Sequence, residues 1–197
     1  MKVRKVIIKR DTKETQIEVK LNLDGSGNYK INTPMGFLNH MLELFSKHGL
    51  FDLTIKATGD TYVDEHHLVE DAGIVLGEAF AKTIGDKKGI NRYGFFILPM
   101  EEVLATAVVD FSGRFTFRFD CPLKRKKIGD LPTELIYDFW DAFAQNARIN
   151  LQIKVENGRN DHHKIEAIFK SVAKALRNAV EIDLRLKRQL PSTKGVL

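Results

Sequence analysis

Four of the chain's six histidines form two adjacent pairs, His66-His67 and His162-His163. Each pair continues as His-His-x-x-Glu, closed by Glu70 and by Glu166. A helix dipole favours carboxylates near a helix N-terminus, which accounts for the glutamates but gives no reason for paired histidines. Imidazole is the commonest metal ligand, so these residues offer metal binding. On a helix, residues four apart share a face, so His66 with Glu70, and His162 with Glu166, can each grip one ion. Neighbouring residues are turned by ~100°, so His67 and His163 should serve a different ion from the histidine before them. The economical arrangement is a two-metal site with pseudo-twofold symmetry. His67, His162 and Glu166 would hold one ion, and His66, Glu70 and His163 the other. Asp71 lies four after His67, but its counterpart is Ala167, so it is read as a residue that orients ligands. His40, on the polar side of its own helix, is a further candidate ligand. His48, just before Gly49, fits either a functional group or a cation at a helix C-terminus.

The elements that must position these residues are repeated. Phe45–Lys56 aligns with Phe143–Lys154, Leu23–Gly27 with Val109–Gly113, and Glu65–Glu70 with Asp161–Glu166, in the same order. This argues for a duplicated half-domain of about 90 residues, the first spanning residues 1–88 and the second 89–197 within one compact domain. The boundary falls where Ile-Gly-Asp-Lys-Lys-Gly breaks a helical pattern near Gly85–Gly89. Ile17, Val19, Leu21 and Leu23 alternate with Glu18, Lys20 and Asn22, the signature of a half-buried strand; Phe115, Phe117 and Phe119 do the same in the second half. Thr33-Pro34 supplies an N-cap and first-turn proline for a helix that Gly49 ends. That helix is apolar at Phe37, Met41, Leu44 and Phe45. A second helix starts at Asp64, and its counterpart at Asn160. The expected fold is α+β: two mixed sheets, each with a pair of helices, and the helices packed between the sheets.

Composition sets the frame for this chemistry. The chain carries 31 basic and 26 acidic side chains, 43% hydrophobic residues and a single cysteine, Cys121. This is ordinary globular composition, which excludes intrinsic disorder and collagen-like structure. One cysteine cannot form an internal disulfide, so a reducing cytosol is the expected compartment. The amino-terminal residues are interrupted by charge too often for a signal peptide, and no apolar run reaches the ~18–20 residues of a membrane span. The basic run Lys124-Arg125-Lys126-Lys127, between Pro122 and Gly129, is read as a solvated loop, because it lacks the interleaved aromatics of a single-strand binder.

The chain closely resembles the imidazoleglycerol-phosphate dehydratase family. The resemblance rests on Phe37-Leu38-Asn39-His40-Met41-Leu42, Lys47-His48-Gly49-Leu50-Phe51-Asp52, the two His-His motifs, Asp110-Phe111-Ser112-Gly113-Arg114 and Pro191-Ser192-Thr193-Lys194-Gly195, in one order over nearly the whole chain. It implies a lyase of histidine biosynthesis that dehydrates imidazole glycerol phosphate to imidazole acetol phosphate, by way of an imidazolate held by two manganese ions per active site. By this resemblance His40 joins His67, His162 and Glu166 on one ion. His66, Glu70, His163 and position 138 take the other. Many relatives carry histidine at 138, where this chain has Asp138; aspartate suits manganese, which accepts oxygen donors. Gln152 also stands where relatives often have histidine, and no role is assigned to it. The resemblance makes Glu14 the acid/base group, with His40, His67 and His163 beside it at the reacting centre. It places His48, Arg92, Arg114, Lys170, Ser192, Thr193 and Lys194 around the substrate, the cations and hydroxyls suiting its phosphate. It also implies a cytoplasmic homo-oligomer of 24 subunits with sites where subunits meet, and no nucleic-acid or membrane partner.

Two rivals stand beside this reading. A two-metal phosphate-ester hydrolase would use the same ligands and release inorganic phosphate. An RNA- or metal-binding module would show a steep salt dependence of RNA affinity. No GxxxxGK[ST] loop is present to support a nucleotide-driven kinase.

Overall fold

The computed structural model describes residues 4–186 and 189–197; the first three residues of the charged amino-terminal run lie outside the described residues. The alternation in β2 (Thr15–Asn22) turns Thr15, Ile17, Val19 and Leu21 inward. It pairs antiparallel with β1 (Lys5–Asp11). β3 (Tyr29–Asn32), α1 (Gly36–Gly49) and β4 (Asp52–Gly59) follow, and β4 runs parallel to β3 and antiparallel to β2. α2 (His66–Ile84) completes the first half. The second half repeats this with β5 (Tyr93–Met100), β6 (Val103–Asp110), β7 (Thr116–Asp120), α3 (Leu135–Ala147), β10 (Asn150–Asn157) and α4 (Asp161–Val180). Among the described residues the second half adds a small hairpin, β8 (Lys127–Ile128) with β9 (Leu131–Pro132), and a short 3-10 turn at Leu184–Leu186. The sheet orders are the same, β1-β2-β4-β3 and β5-β6-β10-β7.

The duplication reaches the level of single backbone angles. α1 and α3 both end on a left-handed residue, Leu50 at φ 56 and Arg148 at φ 53, at equivalent positions. One part of the sequence alignment shifts. Asn22 pairs with Asp52, and Asp110 with Asn150, so Asn22, and not Asp24, is the equivalent of Asp110. A shift of two residues keeps the inward alternation, so side-chain pattern alone does not detect it.

α1 begins at Gly36, later than Thr33-Pro34 suggests. The Thr33 hydroxyl accepts from the Met35 N–H in a tight turn. The N-terminal N–H groups of Gly36 and Phe37 instead donate to the carboxylate of Asp130, from the β8–β9 hairpin of the other half. The cap is tertiary, so no local pattern reports it.

The helices fill the space between the two sheets, and they pair across the halves: α1 with α4, and α2 with α3. α2 lies on β1, β2 and β4, and α4 on β5, β6 and β10. At the α2–α3 crossing a Cβ on Gly73 would lie 2.5 Å from the Phe139 carbonyl oxygen, and one on Gly77 2.5 Å from that of Phe143. These glycines let the two backbones touch. Beside them Trp140, Phe45, Phe139, Phe143 and Phe169 form the fully buried aromatic centre. No helix among the described residues is long and apolar enough to cross a membrane.

Candidate metal centre

The cross-half helix pairing decides which ligands meet. α1 and α4 bring His40 beside His162 and Glu166, with ligand atoms of all three within 4.8 Å of one another. His162 Nε2 lies 3.2 Å, and His40 Nε2 3.9 Å, from the same Glu166 oxygen. The other Glu166 oxygen is 2.6 Å from Lys170 Nζ. Burial acts to raise the Glu166 carboxyl's pKa, but Lys170, His162 and His40 outweigh it, and the net effect is a lowered value. The carboxylate is therefore charged and ready to ligate.

The equivalent pairing of α2 with α3 brings His66 to Glu70, 3.7 Å from Nε2, and to Asp138, 3.9 Å from Nδ1. Position 138 is the repeat equivalent of 40, so the two clusters are pseudo-symmetric. The second is looser: among the described residues only the first has three donor atoms within 4.8 Å.

Neither cluster receives His67 or His163 from its own chain as a close donor. The rings of His66 and His67 stand at 88°, and those of His162 and His163 at 84°, as the turn per residue requires. His67 Nδ1 lies 3.2 Å from the Asp60 carboxylate, which raises its pKa. His163 Nδ1 lies 2.9 Å from Glu102, holding that carboxyl at about 2. A carboxylate on one ring nitrogen fixes the tautomer and leaves the other nitrogen as a ligand, the usual support of a metal-bound histidine. The sequence reading missed both carboxylates. The signal for Glu102 was topological: it sits in the β5–β6 turn as Glu14 sits in the β1–β2 turn. Asp71 does not reach His67; it accepts from Arg10 Nε at 2.8 Å and from the Thr15 hydroxyl, tying α2 to the first hairpin.

The histidine and carboxylate donors match divalent first-row metals by type. The five candidate histidine ligands are 29–46% exposed, so they present their free nitrogens at the surface. A cleft of about 890 Å3 lies away from them, at the opposite ends of α2 and α3, beside Lys82, Lys87 and Arg148.

The family profile for imidazoleglycerol-phosphate dehydratase matches residues 33–176. The chain belongs to this family. An imidazoleglycerol-phosphate dehydratase of Koribacter versatilis is 51% identical over 195 residues, covering 99% of this chain and all of that one. The crystal structure of the Staphylococcus aureus enzyme superposes with a TM-score of 0.81 at 41% identity, covering 90% of this chain and all of that one. The Pyrococcus furiosus enzyme gives 0.83 at 34%, covering 96% of this chain and all of that one. As a member of the imidazoleglycerol-phosphate dehydratase family, the chain is a hydro-lyase of histidine biosynthesis.

Of the remaining residues implied by the family resemblance, Lys170 touches the first cluster through Glu166, and most of the others lie around Arg92, the tail and the β1–β2 tip. Arg92 donates to both Asp110 oxygens, at 2.7 and 3.2 Å, and to the Pro191 carbonyl, which brings the tail Ser192–Gly195 to it. Three of its five N–H donors are thereby used and two remain. The Asp110 hydrogen bond raises the Arg92 pKa further. The Ser192 hydroxyl is engaged inside the tail, donating to Val196 and accepting from the Lys194 N–H. Thr193 and Lys194 are exposed, as is Arg114 on the turn after β6. Lys170 sits on Glu166, not in the tail, with its ammonium also 3.5 Å from Met100 Sδ. Burial, with the charges of Lys170 and Lys174, lowers the pKa of His48 and keeps it neutral. Glu14 is exposed at the hairpin tip, and its charge acts on His67. Gln152 points from β10 toward Asn150, and no function attaches to it.

Proposed function

We propose that this protein dehydrates imidazole glycerol phosphate to imidazole acetol phosphate, with two manganese ions per active site. The observation that carries the reading is the pair of incomplete clusters, each beside a histidine that is oriented by a carboxylate but faces elsewhere. His40, His162 and Glu166 of one copy would be joined on one ion by His67 of another. His66, Glu70 and Asp138 would be joined on the second by His163. The sites then lie where subunits meet, in a cytoplasmic homo-oligomer of 24 copies that takes a phosphorylated small molecule and neither nucleic acid nor a membrane.

When bound, the ions would supply Lewis acidity toward the ring nitrogens, acidifying a carbon that has no carbonyl beside it. Glu14, on its exposed tip beside His67, would carry the proton at the substrate chain. The two spare Arg92 donors, with Arg114, Ser192, Thr193 and Lys194, would hold the phosphate through charge-assisted bonds. Arg92 is pre-set for this by Asp110, which fixes the guanidinium plane. His48, neutral and half-buried, and Lys170 would line the substrate's path. Product analysis tests the reading: a new keto group with phosphate retained is expected, and release of inorganic phosphate would identify a two-metal hydrolase instead.

A further inference from the structure

The two clusters are related by the duplication, yet their donors differ. At equivalent positions of α1 and α3 stand His40 and Asp138, so the first cluster presents two imidazoles and one carboxylate and the second one imidazole and two carboxylates. The surroundings differ in the same sense. Lys170 Nζ sits 2.6 Å from Glu166, whereas the repeat equivalent of Lys170 beside Glu70 is Ile74. With neutral histidines, the first cluster and its lysine sum to zero charge, and the second sums to −2.

Oxygen donors and negative charge suit hard divalent cations, while imidazole favours the later first-row metals. We infer that Asp138 makes the two metal positions of this chain inequivalent: the His66–Glu70–Asp138 position retains manganese against zinc more strongly than the His40–His162–Glu166 position does. The inference rests on the two-metal reading above and deepens it. Lys170 weakens its own position for either metal alike, because an ammonium on the ligating carboxylate competes with any ion for it, so the difference in selectivity falls to Asp138. Changing a group that merely supports a ligand is commonly worth ~10–100-fold in metal affinity, and exchanging a ligand itself should reach at least the lower end of that range. Asp138 is thus a specificity-determining residue, and in a mixture of metals its position would give up manganese later than the other.

The test is a competition on the assembled protein loaded with manganese. Zinc is added in steps, and released manganese is read from the electron paramagnetic resonance signal of the free aqueous ion. Two release steps of one equivalent each are expected, the second needing at least ~10-fold more zinc. Asp138→His should move the second step onto the first, while Asp138→Glu, which keeps the oxygen donor, should preserve both. Single-step release of both equivalents from the parent would overturn the inference and leave the two-metal reading standing. So would two steps that Asp138→His leaves unchanged. A purified protein that takes up no manganese would overturn both.

Discussion

Asp161 shows how much one side chain can hold. It is 2% exposed, and its carboxylate accepts from the Lys124 and Arg125 N–H groups at 2.7 Å and from Lys164 Nζ at 3.0 Å. Lys164 is 3% exposed, so Asp161→Ala strands a buried ammonium and frees the loop that carries the basic run. A loss of about 3–5 kcal/mol is expected in urea unfolding, partly recovered by adding Lys164→Met; a loss below ~1 kcal/mol would show that the Pro122 carbonyl, 2.7 Å from the same ammonium, is a sufficient partner. Asp52 gives a pH-dependent case. The Ser26 N–H, then those of Asn28 and Asn22, outweigh burial and lower its pKa. A lowered folded value means that the contribution is complete above the ordinary carboxylate value of ~3.9 and fades as pH falls through the folded value. Asp52→Asn should therefore be less stable than the parent at pH 7, with the gap closing toward pH 3. A gap of constant size across that range contradicts the assignment. If the tail holds the substrate's phosphate as proposed, Lys194→Ala should lower kcat/KM by about 30–150-fold, roughly 2–3 kcal/mol, without changing particle size or metal uptake. On an analogue lacking phosphate the variant and parent should perform alike, and near-parental kcat/KM on the phosphorylated substrate would remove the tail from the site.

At the scale of elements, the α2–α3 crossing carries the second cluster. Asp138 meets His66 only because Gly73 and Gly77 let α3 lie against the α2 backbone. A valine at position 77 would place its Cβ 2.5 Å from the Phe143 carbonyl oxygen and 3.0 Å from the Ala147 nitrogen, both backbone atoms that cannot swing away. Gly77→Val should cost about 2–3 kcal/mol and lower the melting temperature by about 5–10 °C. A melting temperature within 1–2 °C of the parent would mean that the helices separate at little cost. Helix α1 depends on a different kind of contact. Its N-terminal amides are capped by Asp130 from the other half, so the first half-repeat does not supply its own helix start.

On the scale of the whole molecule, the part-exposed, carboxylate-oriented His67 and His163 would, on the proposed two-metal reading, make metal and assembly one problem. If each ion is held by two copies, its binding free energy is also subunit-binding free energy. Stripping the protein with a chelator should shrink the particle seen by light scattering, and returning manganese should restore it. A large particle that survives complete metal removal would show that side-chain packing alone holds the proposed assembly.

The sequence by itself determined the duplication, the half-buried strands, the donor types available at the candidate site and the family. These follow from local period and residue type: a period of two marks β2, and two His-His-x-x-Glu motifs mark α2 and α4 whatever surrounds them. It could also state that neighbouring histidines diverge, because the turn per residue is a property of any helix. Only the tertiary structure decided which ligands share a cluster. Helices pair across the halves, so His162 meets His40, and His66 meets Asp138, while His67 and His163 turn to Asp60 and Glu102. The same holds for the Asp130 cap, the Asp71–Arg10 tie and the two-residue shift of the repeat at Asn22. Each depends on packing between segments far apart in the chain, where a side chain's partner is set by which backbones can approach, and periodicity carries no record of that.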